Sequence, residues 1–181
     1  MFRSLFWIRF KKVMMLVVGV AFVFSLFKAL IPPSDRLAEG TPVPKMQLAY
    51  ITGGEGVLRL PTDLKGKGVL LNFWATWCGP CVHELPVLQR LHERYGQENI
   101  VVIGVTDEHP KKVAPFVRDK GLTYPIVRDR GGRLGARLGV KSIPFSVFIG
   151  PDGRVVGDVT GELDESEGSE RLEELLEKLK G

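Results

Sequence analysis

The only two cysteines of this 181-residue chain, Cys78 and Cys81, stand two residues apart in the stretch FWATWCGPCVHELP. Four kinds of chemistry use such a pair: zinc binding, covalent haem attachment, copper(I) binding and dithiol–disulfide exchange. A zinc site needs about four ligands, and the three histidines of the chain do not stand at matched spacing. Haem attachment needs a histidine directly after the second cysteine, where this chain has Val82. Copper(I) binding stays open, and dithiol–disulfide exchange fits every feature of the stretch.

The two cysteines are predicted to begin a helix. An apolar run, GVLLNFWA, precedes them and is typical of a buried strand, and Pro80 suits the first turn of a helix that follows. At a helix start, unpaired N–H groups and the helix dipole favour a negative charge, which lowers the pKa of the Cys78 thiol. Cys81 lies one turn further in and is expected to be more buried. We therefore expect Cys78 to attack a partner's disulfide and Cys81 to resolve the mixed disulfide.

Glu84 is the third candidate for this chemistry. It follows Cys81 by three residues and falls about 60° around the predicted helix from it, on the same side. A surface ion pair is the alternative interpretation, but no basic residue stands three or four positions away on that helix. A carboxyl group near a buried thiol can accept its proton and return it. We predict this role for Glu84.

The elements around the pair alternate between strands and helices. A hairpin is predicted over residues 46–60, buried strands over 68–75 and 99–106, and a helix over 109–121. A short strand and a short helix follow, and then two strands over 145–159 joined by a Pro-Asp-Gly turn. The last helix carries an apolar stripe, formed by Leu172, Leu175, Leu176 and Leu179. This order predicts an α/β sandwich with a mixed central sheet flanked by helices.

The N-terminus differs in composition from the rest. It carries five basic residues and no acidic residue before position 35, and residues 13–27 are uncharged and apolar. Extended to residue 31, the apolar segment comes close to the ~20 residues that span a bilayer. A cleaved signal peptide is the alternative, but the small residues of a cleavage site are missing around Ala29. We predict a retained single-pass transmembrane anchor over residues 13–31, after a cytoplasmic basic segment, residues 1–12.

The proline-containing segment 32–45 is predicted to be a linker, and residues 46–181 the folded domain. Removing the five N-terminal basic residues from the total of 25 leaves 20 against 21 acidic residues, so no nucleic-acid partner is expected. The anchor places the domain on the periplasmic, extracytoplasmic side of a bacterial inner (cytoplasmic) membrane. Cysteines there often form structural disulfides, but a 78–81 bridge closes too short a loop to constrain the chain, which favours a catalytic pair.

Two motifs of the chain resemble those of a known fold. FWATWCGPC resembles the thioredoxin active site, and SIP at 142–144, before a predicted strand, resembles the loop whose proline is cis in that fold. Several features narrow the resemblance to the membrane-anchored TlpA/ResA-like oxidoreductases: the anchor, Asn72 where cytoplasmic thioredoxins have a buried Asp, Glu84, and the strand–helix segment 99–121. Over about residues 40–180, the resemblance implies a thioredoxin-like sandwich with an N-terminal hairpin and a strand–helix insertion.

The same resemblance implies how a client would bind. Pro144 would be cis and face the cysteines, the Ile143 backbone would pair with the bound client, and Trp77 would shield one side. Gly79 and Pro80 would complete the client-binding surface.

The resemblance also implies partners and the direction of electron flow. The clients would be extracytoplasmic disulfide proteins such as apocytochrome c or copper-site proteins, reduced with electrons from a membrane donor of the DsbD/CcdA type. No cofactor beyond the redox-active Cys78–Cys81 disulfide and no metal are expected. A thiol-based copper chaperone and a disulfide-forming oxidase are the alternative functions.

Overall fold

The structure is a computed structural model that describes residues 37–163 and 169–180, together with Trp7, Met14, Met15 and Gly19. The chain divides into two compact units, Met1–Asp35 and Arg36–Gly181. Among the described residues, no helix is both long enough and apolar enough to cross a bilayer. The predicted anchor, residues 13–31, lies outside the described residues except at Met14, Met15 and Gly19.

A mixed seven-stranded sheet forms the centre of the second unit, as far as the structure describes it. Its strands are β1 (Met46–Thr52), β2 (Val57–Leu60), β3 (Gly68–Phe73), β4 (Ile100–Thr106), β5 (Ile126–Arg128), β6 (Phe145–Ile149) and β7 (Val155–Thr160). They lie in the order β2-β1-β5-β4-β3-β6-β7, with β3, β4 and β5 parallel and the other neighbours antiparallel. All six residues of β3 are buried, as expected for an apolar run at the centre of a sheet.

Helices cover both faces of the sheet. They are α1 (Gly79–Tyr95), α2 (Pro110–Asp119), α3 (Arg133–Arg137) and α4 (Ser169–Lys180), with 3₁₀ turns at Thr62–Leu64 and Gly96–Glu98. Successive residues of β3 point to opposite faces: Leu70 packs with α1, α2 and α4, and Leu71 packs with α3 and the hairpin. The predicted sandwich of a mixed sheet between helices is therefore confirmed.

The predicted hairpin is also present, since β1 and β2 pair antiparallel. The segment 99–121 forms β4 and α2, as the resemblance implies.

The predicted linker, residues 32–45, differs from the structure at its C-terminal end. The N–H of Gly40 donates to the carbonyl of Val155 over 2.7 Å, the N–H of Val155 donates to Thr41 over 2.9 Å, and Val43 is buried. β7 is an edge strand with free backbone groups, and these residues satisfy them. Despite its prolines, the C-terminal end of this segment is therefore bound to the edge of the sheet. The folded part begins before residue 46.

Candidate active site

The two cysteines lie at the N-terminus of α1, where the sequence predicts them. Cys78 is the N-cap residue, with an extended backbone, and its sulfur accepts a hydrogen bond of 3.3 Å from the N–H of Cys81. The two are joined as a disulfide with their Cα atoms 5.2 Å apart. Cys78 keeps 6% exposure and Cys81 none, which confirms the expected order of burial. Gly79 and Pro80 form the exposed first turn beside them.

The loop between β3 and α1 is held by a residue that follows the neighbouring strand, β4. Both the N–H and the hydroxyl of Thr76 donate to the Glu108 carboxylate, over 2.6 Å and 3.0 Å. Lys112 contacts the same carboxylate. Burial pushes the pKa of Glu108 up, but the hydrogen bonds from Lys112 and Thr76 outweigh it and hold the pKa below its usual value. The Glu108 carboxylate, which lies just after β4, therefore holds the loop that carries Cys78 in place.

Pro144 and the cysteine loop leave the sheet at the same edge because of the strand register. Phe73 pairs with Phe145, so the residues after β3 and those before β6 emerge at one edge of the sheet. The Ile143–Pro144 peptide bond is cis, as the resemblance implies. The carbonyl of Pro144 accepts a hydrogen bond of 2.9 Å from the N–H of Gly161.

Glu84 is fully buried on α1, so its interpretation as a surface ion pair is wrong. Its Oε1 accepts a hydrogen bond from Nδ2 of Asn72 over 2.8 Å, and its Oε2 accepts one from the N–H of Leu163 over 2.8 Å. Burial raises the pKa of Glu84 to about 7; the bonds from Leu163 and Asn72 oppose this rise, and the charge of Glu162 adds to it. Since Cys81 is one helical turn away, a carboxyl group that titrates near neutral pH lies beside the buried sulfur.

Other residues of this buried network were not predicted as site residues. The hydroxyl of Ser146, on β6, accepts a second hydrogen bond from Nδ2 of Asn72 over 3.1 Å. Tyr124 is fully buried, and burial raises the pKa of its hydroxyl, with the nearby Glu84 charge as a smaller cause. Leu163 contributes only its backbone, a contact for which the sequence carries no signal.

A cleft of about 420 Å³ opens beside the cysteine loop. Its apolar lining includes Phe73, Trp74, Val105 and Ile143, and Trp77 stands at its edge with 71% exposure. The ring of Trp77 therefore faces solvent rather than the protein core. An apolar cleft beside the loop that carries Cys78 can take an apolar side chain.

The cysteines gain no further metal ligands from their surroundings in the described residues. Within the part of the chain that the structure describes, no three or more His, Cys, Asp or Glu side chains group as a metal site. Two-coordinate copper(I) binding by Cys78 and Cys81 alone would not require such a group.

The fold is a mixed sheet between helices, with one helix that begins at a C-x-x-C pair and a cis-proline at the same edge of the sheet. These features define a thioredoxin-like thiol-disulfide oxidoreductase. The chain belongs to the AhpC/TSA family, whose model matches residues 40–157.

Among curated proteins, the chain is similar to the thiol-disulfide oxidoreductase ResA of Bacillus cereus (32% identical; 94% of this chain and 95% of that one). It is also similar to ResA of Bacillus subtilis (31% identical; 84% of each chain). Among solved structures, a putative thiol:disulfide interchange protein DsbE from Chlorobium tepidum matches with a TM-score of 0.71 and 27% identity, over 80% of this chain and 99% of that one. StoA from Bacillus subtilis matches with a TM-score of 0.60 and 25% identity, over 75% and 99%. The chain is thus an oxidoreductase of the ResA/DsbE type.

Proposed function

We propose that this oxidoreductase is a membrane-anchored reductase of disulfides in extracytoplasmic client proteins, with Cys78 as nucleophile, Cys81 as resolving cysteine and Glu84 as proton carrier. The observation that carries the proposal is the burial of the Glu84 carboxyl one turn from Cys81, with a pKa of about 7. A proton carrier works best when its pKa is close to the working pH.

The proposed reaction needs only the two cysteines, Glu84, the client disulfide and water. The Cys78 thiolate attacks one sulfur of the client disulfide, and the client's second sulfur leaves as a thiolate that takes a proton from water. The Cys81 thiol then gives its proton to Glu84, and its sulfur attacks Cys78. The bond between Cys78 and the client breaks, and the client sulfur leaves and is protonated by Glu84. The client ends as a dithiol and the protein as the Cys78–Cys81 disulfide, so no cofactor and no metal are needed.

The electrostatics of the pair favour reduction of clients over oxidation. Strong disulfide-forming oxidases stabilise their reduced form as a thiolate. Here the ionised Glu84 carboxylate, one helical turn from Cys81, opposes a second negative charge on the buried sulfur. The reduced protein is then the less stable form and passes its electrons on.

Client binding is assigned to the surface around Cys78. Gly79 and Pro80 are exposed beside it, Trp77 stands at the edge of the cleft, and Ile143 is half-buried in its lining. We assign the backbone of Ile143 to pairing with an extended client segment, and Pro144 to the same binding surface. The apolar cleft would take a client side chain next to the disulfide.

The remaining proposals concern location and partners. The basic and apolar N-terminus supports a cytoplasmic segment 1–12, an anchor 13–31 and an external catalytic domain. Apocytochrome c or a copper-site protein is the proposed client class, and a membrane protein of the DsbD/CcdA type the proposed electron donor. Both follow from the resemblance to the TlpA/ResA-like group.

The reduction potential of the full chain tests the proposal. Equilibration with a glutathione redox buffer, followed by alkylation of free thiols, gives the fraction reduced. We expect a potential near that of thioredoxin, about −270 mV, and catalytic reduction of a disulfide peptide. A reduction potential of about −120 mV would indicate that the protein forms disulfides in its clients instead. Stoichiometric copper(I) binding that needs both cysteines, without peptide reduction, would assign a copper chaperone.

A further inference from the structure

Basic residues are concentrated on and around α3. Residues 128–141 contain five basic residues and one acidic residue, and the acidic one, Asp129, is buried. Arg130, Arg133 and Arg137 are exposed. Arg133 and Arg137 stand four positions apart, which places them on one face of the helix. We call Arg130, Arg133 and Arg137 the α3 basic face.

The three arginines of the α3 basic face have no acidic partner among the residues that the structure describes. None of them forms an ion pair within residues 37–163 and 169–180. Elsewhere, by contrast, Arg59 and Arg154 each lie within 4.0 Å of a carboxylate oxygen of Asp63 and Asp152, respectively. An unneutralised group of cations on one element attracts anions at a distance.

α3 is held rigidly and forms part of the wall of the client cleft. The Asp129 carboxylate accepts the N–H of Leu134 and the N–H of Gly135, both over 2.9 Å. Gly135 and Ala136 line the cleft, on the side of α3 adjacent to Arg133 and Arg137. A client chain that occupies the cleft therefore passes next to the arginines.

The acidic groups at the cleft are already engaged. Asp129 is bonded to α3 as described, and Glu108 is bonded to Thr76 and Lys112. Oδ1 of Asp107 accepts the N–H of Gly131 over 2.6 Å. These backbone bonds leave Asp107 and Asp129 charged, whereas Glu108 is matched by Lys112. The three arginines of the α3 basic face therefore outnumber the two carboxylates that no lysine matches here.

We propose that the α3 basic face docks an acidic segment of the client, close in sequence to the disulfide that Cys78 attacks. The inference rests on the proposed function, because it names the client class of the same site. Opposite charges beside the cleft would speed encounter and fix the direction of the bound chain. A protein segment is favoured over an anionic membrane because Arg133 and Arg137 flank Gly135 and Ala136, which line the cleft.

Two synthetic peptides test the proposal with the full chain in nanodiscs of neutral lipid. Both carry the same disulfide loop, flanked in one by glutamates and in the other by lysines. We expect the reduced protein to reduce the glutamate peptide about tenfold faster at low salt, with the difference lost near 0.5 M NaCl. The double variant Arg133→Gln/Arg137→Gln should lose the preference and reduce a neutral peptide at the wild-type rate.

The matched control is Lys65→Gln/Lys67→Gln, which removes two exposed cations at the opposite end of β3 and should keep the preference. An equal rate for both peptides in wild type, with the neutral peptide still reduced, overturns the docking proposal and leaves the reductase intact. Failure to reduce any peptide contradicts the reductase itself. If the double variant changes the rates only in nanodiscs with anionic phosphatidylglycerol, and equally for both peptides, the face binds lipid and the proposal is wrong.

Discussion

The main-chain N–H of Leu163 donates a hydrogen bond of 2.8 Å to Oε2 of Glu84, which lies 79 positions earlier in the chain. Leu163 is also buried in the same apolar cluster as Cys81. The contact holds the segment after β7 against α1, where Glu84 is fully buried. The hydrogen bond itself lowers the pKa of Glu84, but burial outweighs it. This burial raises the pKa of Glu84 to about 7. The proposed role of Glu84 as proton carrier therefore depends on a tertiary contact as much as on its place three residues after Cys81.

Glu84→Gln should slow the step that Cys81 performs. The amide keeps an oxygen for the Leu163 N–H but cannot accept a proton, so resolution of the mixed disulfide should fall about a hundredfold near pH 7. In wild type the rate should rise with pH through about 7, where Glu84 becomes the base. In the variant this rise should be absent. Rapid-mixing fluorescence with a disulfide peptide measures both steps.

Glu93→Gln is the matched control for this substitution, because Glu93 is exposed on the same helix. It should leave the pH profile of resolution unchanged. A Glu84→Gln enzyme with the wild-type profile would show that the Cys81 proton takes another route.

The stability of the oxidised protein should depend on pH through the same group. The unfolded chain ionises Glu84 near 4.5, whereas the folded protein keeps its proton until about 7. The folded state therefore binds more protons in this range, and its free energy of unfolding falls as pH rises. The loss is on the order of 3 kcal/mol between pH 4.5 and 7 and is constant above that.

Urea denaturation of wild type and Glu84→Gln at several pH values isolates this contribution, since all other groups are shared. The difference in free energy of unfolding between wild type and Glu84→Gln should change by on the order of 3 kcal/mol between pH 4.5 and 7. A constant difference between pH 4.5 and 7 would mean that the Glu84 carboxyl titrates alike in both states.

Asn72→Asp should make the buried network sensitive to pH. The Asn72 amide donates to both Glu84 and Ser146, and the substitution replaces this donor with a second carboxyl of the same shape. At pH 5 one of the two carboxyls is protonated and can donate to the other. At pH 8 two buried negative charges repel, so we expect a loss on the order of 3 kcal/mol.

Chemical denaturation at both pH values checks this expectation. Ser146→Ala, which removes only the second acceptor, should cost a similar small amount at pH 5 and pH 8. Equal stability of Asn72→Asp at the two values would contradict a direct contact between Asn72 and the Glu84 carboxyl.

The fold and the cysteine geometry were predictable because their signals are local. The apolar run of β3, the prolines and the alternation of elements each act over a few residues, and they place Cys78 at a helix start. The position of Glu84 on the same side as Cys81 follows from helix periodicity alone. Local patterns therefore suffice for the strands, the helices and the order of burial of the two sulfurs, but they do not give the order of the strands in the sheet.

The partners of Glu84 were not predictable in this way. Leu163 contributes a backbone N–H, which every residue but proline carries, and Ser146 reaches Asn72 only because β3 and β6 pair in one register. The fixed end of the predicted linker, at Val43, likewise depends on the free edge of β7. Contacts of this kind are set by packing between distant segments, and only the structure locates them.

Trapping of the mixed disulfide tests most directly whether Cys78 attacks the client and Cys81 resolves the complex. The full chain with Cys81→Ser, reduced and mixed with a disulfide peptide, should accumulate a covalent complex through Cys78 that dithiothreitol releases. Cys78→Ser, whose remaining sulfur is fully buried, should form almost none under the same conditions. Equal complex formation by both variants, or a complex only with Cys78→Ser, would contradict attack by Cys78 and resolution by Cys81.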